Sequence, residues 1–394
     1  MFLLDNPIHH YPWGSPTAIP DLLGVPPTGD PHAELWLGAY ETAPSCAITA
    51  DGPVRLDELV RRDPTGMLGA DAVEAFGPRL SYLLKVLAVE RPLSIQAHPT
   101  SKLAEAGFAT ENDAGVPLDS PNRSYRDPFH KPELVVALSD FVALLGFRIP
   151  TESEELIVEL GVPELAEAAD RIRAPDGLAD TVQWILTLPP DRATHIAGAV
   201  ATAAGERSGT EPFTTLAGIA DLFPGDRGVL FALLLQIVRL SSGAACAVPA
   251  GTPHCYLHGV VVEAQAASDN TLRAGLTPKR VDVAELLAAL QYAPGVDLRL
   301  SPTAVGEAEV FELTGVRDVR LYRVSLGREP VSLAGSGVVL VIDGQAALAV
   351  GGAQTTLDRG RSAFVPADAG EFALTGLGTA FVATTALGTI GKAR

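Results

Sequence analysis

The sequence predicts a mainly β protein interrupted by an α-helical insert, and three changes of texture along the chain carry that reading. Residues 1–150 hold short apolar runs bounded by Pro, Asp or Arg: YLLKVLAV (82–89), LSIQAH (93–98), LVVAL (134–138) and FVALLGF (141–147). Runs of that length between turn residues suit buried strands. Residues 151–240 turn to long Ala- and Leu-rich segments separated by PPD, SGTEP and FPGD, a helical pattern. From about 306 onward short β-like runs return, VRLYRVSL, GVVLVIDGQAALAV, SAFVPA and FVATT, punctuated by glycines in the rhythm of a sandwich or barrel.

The expected division follows. A discontinuous β-domain takes 1–150 and 241–305, a helical insert takes 151–240, and a second β-domain takes 306–394. Thr151 with Glu154 has the form of a capping box opening the insert. Strands resume at AACAVPAGTPHCYL (244–257) and GVVVEAQAAS (259–268). A helix is expected at 282–292, with Asp282 as N-cap and Glu285 three residues on.

Length and charge narrow the function. At roughly 100–200 residues per domain, 394 residues make two or three domains. Hydrophobic residues at 47% against 19% charged exclude wholesale disorder. A formal net charge of -18 repels nucleic acid and anionic membrane, so neither is an expected partner. A phosphorylated metabolite would be repelled too, unless a local basic cluster overrides the field. Cys46, Cys246 and Cys255 are odd in number and widely spaced, which argues for a reducing compartment over a disulfide framework. MFLLDNPIHHYPWG lacks the basic segment of a signal peptide, and the apolar stretch between Arg227 and Arg239 is too short to span a bilayer. A cytoplasmic protein is expected.

Lysine is scarce: Lys85, Lys102, Lys131, Lys279 and Lys392 are the five, and arginine supplies the remaining cations. Where arginine is the default, a lysine inside an apolar strand such as Lys85 invites a role in acid–base chemistry or anion contact. The bland alternative is an ammonium that snorkels to solvent. Ser94, Gln96 and His98 alternate along S-I-Q-A-H-P and would share one strand face. An amide oxygen beside an imidazole can ligate a divalent metal, although a hydrogen-bonded histidine at a barrel mouth is the commoner case. In Y-R-D-P-F-H-K-P-E-L, Pro132 favours a strand entry and presents His130, Lys131 and Glu133, either as a site or as a solvated charge cluster.

The turn P-A-G-T-P delivers His254 to the start of a strand, with Tyr256 on the same face and Cys255 on the other, as a small core residue. Two His, one Glu and one Gln suit zinc or another first-row divalent ion, but they come from separated segments and no spacing rule identifies the site. Arg273 and Lys279 place two cations in S-D-N-T-L-R-A-G-L-T-P-K (268–279). They could meet a phosphate or an enediolate oxygen, or Arg273 could simply pair with Asp269.

These motifs, with W-G-S and A-E-L-W-L-G near the start and L-L-K-V-L before residue 88, resemble type I mannose-6-phosphate isomerase. They run in that family's order from residue 11 to 279. The resemblance implies two cupin (jelly-roll) β-barrel domains plus an α-helical domain, and one Zn2+ per chain. The implied ligands are Gln96, His98, Glu133 and His254. The implied catalytic residues are Arg273, Lys131, His130 and Lys85, with Trp13, Ser94, Tyr256, Glu263, Asp269 and Lys279 lining the substrate. The implied reaction interconverts mannose 6-phosphate and fructose 6-phosphate through a cis-enediol, in the carbohydrate metabolism that leads to GDP-mannose. It implies a monomer whose partner is a small hexose 6-phosphate. Two departures stand out: A-E-L-W-L-G runs on into A-Y-E-T-A-P where relatives often have His-Pro, and Phe129 precedes His130 where a polar residue is common. A metal-dependent oxygenase on the same barrel and a non-catalytic sugar-phosphate-binding bicupin are the competing expectations.

Overall fold

The computed structural model describes residues 1–387. Two antiparallel β-sheets of eleven strands each dominate it. The first is built around one long strand, His254–Ala266. Its second half lies between Tyr82–Val89 and Glu133–Ala137, with Glu263 directly opposite Lys85 and Gln265 opposite Glu133. Its first half leaves those partners and pairs instead with Phe141–Phe147. The register slips between Tyr256 and His258, and Gly259 follows with φ +113, a conformation closed to most side chains. A Cβ at Gly259 would also collide with the Asp140 carbonyl, so this bend, which lets one strand serve both sides of the barrel, requires glycine.

The ladder at the other end positions the chemistry. His254 is the register partner of Gln96, and Gln96 is the partner of Arg273 in the short strand Leu272–Gly275. Cross-strand neighbours share a face, so imidazole, amide and guanidinium form one row.

The helical insert runs from Pro150–Leu160 to Gly228–Ala232. Its opening differs from expectation. Pro150 occupies the first helical turn behind Ile149, and no side chain caps the end, so Thr151 and Glu154 form no capping box. Leu235–Leu240, expected inside the insert, is a strand paired with Phe141–Phe147. The insert and the outer face of the first barrel share one apolar core that includes Ile95, Leu144, Cys255 and Leu272.

The second sheet centres on Gly337–Val350 paired along its length with Glu371–Thr384. The N-terminal strands Phe2–Asp5, Cys46–Thr49 and Gly52–Arg55 join this sheet, not the first, through Phe2↔Phe364 and Leu3↔Ile48. The division at residue 306 is therefore not a clean cut of the chain. The expected end at 394 lies outside the described residues. Asp282 caps a helix as expected, accepting from the Glu285 amide, but that helix is only Val283–Ala289. Among the described residues no helix is long and apolar enough to cross a membrane.

Candidate active site

The strand row and the F-H-K-P-E-L segment converge inside the first barrel. One ligand atom from each of His98, Glu133 and His254 lies within 4.8 Å of the other two, and all three residues are buried. His98 Nε2 is 3.1 Å from Glu133 Oε1 and has no hydrogen-bond partner among the described residues. His254 Nε2 is 3.7 Å from Glu133 Oε2, and the Gln96 amide tip is 3.4 Å from His254 Nε2. An orphaned buried nitrogen facing a carboxylate and a second imidazole costs free energy unless something else binds there. Tetrahedral bonds of about 2.0–2.3 Å would place donor atoms some 3–4 Å apart, so the donor set fits zinc.

The imidazoles are prepared for that task. His98 Nδ1 lies 2.7 Å from the Asn270 carbonyl and His254 Nδ1 lies 3.0 Å from the Thr252 carbonyl. A carbonyl accepts only, so each Nδ1 carries the proton and each Nε2 keeps its lone pair for a metal. Burial, helped by Lys131, pushes the His98 imidazolium down to about 4, and burial lowers His254 as well. Burial alone would raise Glu133, but the charges around it, the Lys131 ammonium foremost, outweigh it and hold this carboxyl well below its usual range. Lys131 Nζ sits 3.1 Å from Glu133 Oε1.

A second layer of charge extends from the ligands. Lys85 is 4% exposed and does not snorkel. Its Nζ lies 3.4 Å from Glu34 Oε2 and 3.5 Å from Glu263 Oε2, over the Trp36 ring at 4.6 Å. Burial would lower its pKa, but Glu34, Glu263 and Glu133 together raise it, so it stays an ammonium. Burial, then the nearby Glu133, pushes Glu263 up to about 7. The Tyr256 hydroxyl reaches Glu133 Oε2 at 3.2 Å and Glu263 Oε1 at 3.1 Å. Its single proton serves one of them at a time. Cys255 faces away, its Sγ donating to the Leu93 carbonyl at 3.0 Å, and burial pushes its thiol up. It is a core residue and no nucleophile.

The rim holds the remaining candidates. Ser94, half-buried, precedes the strand that carries Gln96. Trp13 stacks on Tyr11 at 5.9 Å, and Lys279 Nζ lies 5.9 Å from the same Tyr11 ring. Arg273 makes no ion pair among the described residues, and its Nη1 lies 3.5 Å from the Thr271 carbonyl. The structural pairing with Asp269 is therefore absent. Asp269 is exposed, and its amide donates to Asp127 Oδ2 at 3.0 Å. His130 is drawn elsewhere: its Nε2 lies 3.0 Å from Asp318 Oδ2, on the segment entering the second sheet. The neighbouring Lys131, not His130, meets the ligand cluster.

Four polar residues escaped the sequence reading. Glu34 accepts from Trp36 Nε1 at 2.6 Å and holds Lys85. Asp127 accepts from the Tyr40 and Ser268 hydroxyls, both at 2.8 Å, and from the Phe129 amide at 3.0 Å. Asn270, fully buried, accepts from the Arg126 amide and donates to the Asp127 and Phe129 carbonyls. Together Asp127 and Asn270 fasten the 126–130 segment to the loop before Arg273. The fourth, Asp226, accepts from the Leu276 amide at 2.8 Å. Each stands inside a segment singled out in the sequence, Asp226 in FPGD, but its partner lies far along the chain or across a strand.

A barrel whose interior gathers two imidazoles, a carboxylate and an amide, beside a guanidinium with no ion-pair partner among the described residues, defines a metal-dependent enzyme for a polar, anionic small molecule. Comparisons with known proteins narrow that class. Residues 1–150 match the model for the phosphomannose isomerase type I catalytic domain, and residues 330–385 match that for the mannose-6-phosphate isomerase cupin domain. The chain is 36% identical over 383 residues to mannose-6-phosphate isomerase of Escherichia coli K12, covering 95% of this chain and 97% of that protein. It is 35% identical over 387 residues to the Salmonella typhimurium enzyme, with the same coverage. The crystal structure of the Salmonella typhimurium enzyme bound to its substrate and to zinc superposes with a TM-score of 0.91 at 34% identity, covering 98% of this chain and 100% of that one. A zinc-bound holo mannose 6-phosphate isomerase gives the same score and identity over 98% and 99%. The chain belongs to the type I phosphomannose isomerase family.

Proposed function

We propose that this chain is a zinc-dependent aldose–ketose isomerase that interconverts mannose 6-phosphate and fructose 6-phosphate through a cis-enediol. The observation that carries it is the row His254–Gln96–Arg273 beside the buried His98 and Glu133: a metal donor set with a free guanidinium next to it. His98, Glu133, His254 and Gln96 would hold the ion. Zinc, when bound, supplies a Lewis acid for the sugar oxygens.

The chain's own groups do the rest. The reaction moves a proton between C1 and C2, and negative charge grows on the oxygens as it leaves carbon. Arg273 stabilises that charge, and a preorganised donor of this kind is worth on the order of 3 kcal/mol of barrier. Lys85 stays charged between two carboxylates, so it holds an anion and does not act as a base. Lys131 is the candidate for proton movement at the sugar, including ring opening, with His130 outside it at Asp318. Trp13, Ser94, Tyr256, Glu263, Asp269 and Lys279 shape the substrate space, with Lys279 placed for the phosphate. The catalytic barrel comprises the strands of the first sheet, with the helical segment inserted into it and the second sheet as a scaffold. Three unpaired cysteines and the net charge support a cytoplasmic protein that works without nucleic acid or membrane.

The test is a coupled assay for conversion of mannose 6-phosphate to fructose 6-phosphate by the purified protein. Turnover is expected, lost with a chelator and restored by zinc. Binding of mannose 6-phosphate by folded, zinc-loaded protein without turnover would overturn the proposal in favour of a sugar-phosphate-binding protein.

A further inference from the structure

Arg273 stands on a strand of four residues whose ladder partner is the three-residue strand Ile95–Ala97. Just beyond it the chain turns at Leu276 with φ +55, a left-handed backbone that a leucine adopts only at a cost. Leu276 is buried, so the strain is held by its surroundings. A restraint comes from the helical insert. Asp226, in the FPGD turn of the helical insert, accepts from the Leu276 amide at 2.8 Å and from its own neighbour Gly228 at 2.7 Å, both through Oδ1, while Oδ2 lies 3.4 Å from the Thr277 amide. A carboxylate accepting backbone amides makes stronger bonds than a neutral acceptor would.

Two glycines allow this approach. A Cβ on Gly275 would lie 2.5 Å from Gly228 Cα, and one on Gly228 would lie 2.6 Å from the Leu276 nitrogen. The backbones of insert and loop touch. Beside this contact lies a cleft of about 200 Å³ lined by Thr194, Gly225, Asp226, Gly275 and Thr277, so on that side the loop is held by Asp226, while the Leu276 side chain packs into the insert's apolar core.

We propose that Asp226 is a positioning residue: through it the helical insert sets the backbone that aims Arg273 into the active site. This rests on the reading that Arg273 faces the sugar. The insert is then part of the active-site scaffold. Displacements of about 1 Å at a reacting group can cost on the order of a hundredfold in rate.

The experiment compares zinc-loaded D226A, D226N, R273A and the double variant D226A/R273A by zinc content, thermal melting, kcat and KM. D226A is expected to keep its zinc, stay folded at the assay temperature and lose about tenfold to a hundredfold in kcat. D226N keeps Oδ1 as an acceptor and is expected within about threefold of wild type. On the R273A background, D226A is expected to cost less than about twofold, because it acts through Arg273. Wild-type kcat in folded D226A overturns the proposal, and so does an equal loss on both backgrounds. Undiminished turnover in R273A sinks the reading of Arg273 itself, a separate result. If D226A does not fold, Gly275→Ala puts the same question from the loop side: the same loss of kcat supports the proposal and wild-type kcat overturns it.

Discussion

Inside the first sheet, Lys85, Lys131, His98, Glu133, His254 and Glu263 are all buried. The interior of the second sheet is built from Val310, Val324, Val339, Leu348, Phe372 and Leu374. Its buried charges sit at the margins: Asp318 faces His130, and Arg320 pairs with Glu312 at 2.6 Å. Two similar β-architectures thus spend their interiors differently. Buried charges are tolerated in the first because each ammonium sits against at least one carboxylate, yet such pairs stabilise a fold less than well-packed apolar residues of the same volume. The second, dry interior covers that deficit through the apolar layer it shares with the first, where Leu84 and Val86 meet Leu340 and Phe381. Function resides in what fills a barrel, not in the barrel.

Substitutions can break this contrast. The largest effect is expected from His254→Ala, which removes a donor from the cluster: zinc content of the purified protein should collapse, and turnover should fall by about a thousandfold or more. Full zinc occupancy would remove His254 from the donor set. Next comes Lys85→Met. It leaves Glu34 and Glu263 without their shared cation, so chemical denaturation should show a loss of about 3 kcal/mol, and kcat/KM should fall as well. An unchanged midpoint would mean that the carboxylates do not depend on Lys85. In the second sheet Phe372→Ala should cost about 3–5 kcal/mol of stability, while kcat per folded molecule stays within about twofold. A large loss of kcat there would mean that the dry interior shapes the site directly.

Much of the site was legible because its side chains have few bland uses. A lysine within YLLKVLAV and a histidine after P-A-G-T-P are hard to place on an apolar face without chemistry. The position of Cys255 followed from alternation alone. Asp127 and Asn270 were missed for the opposite reason. Asp and Asn in loops are usually solvated, and only three-dimensional pairing shows that these bind backbone groups of another segment. Glu34, buried in a strand, was missed because its partner Lys85 lies on another strand. His130 could not be told from Lys131 because their sequence contexts are the same; the structure sets His130 beside Asp318, 188 positions away, and Lys131 beside Glu133. The sheet membership of Phe2–Asp5 was illegible too, since strand pairing across hundreds of residues leaves no local trace. LQIVRL was absorbed into the insert because a short apolar run after a helix looks like more helix.

The N-terminal strand also bears on synthesis. Phe2–Asp5 is sandwiched between Cys46–Thr49 and Ser362–Val365, and Asn6 donates to Ser362, 356 positions later, at 2.7 Å. On the ribosome, at roughly 5–20 residues per second, the first strand waits tens of seconds for its second neighbour to be made. Throughout that interval it presents an open backbone edge in the crowded cell, where a holding chaperone would find it and an unwanted neighbour could pair with it.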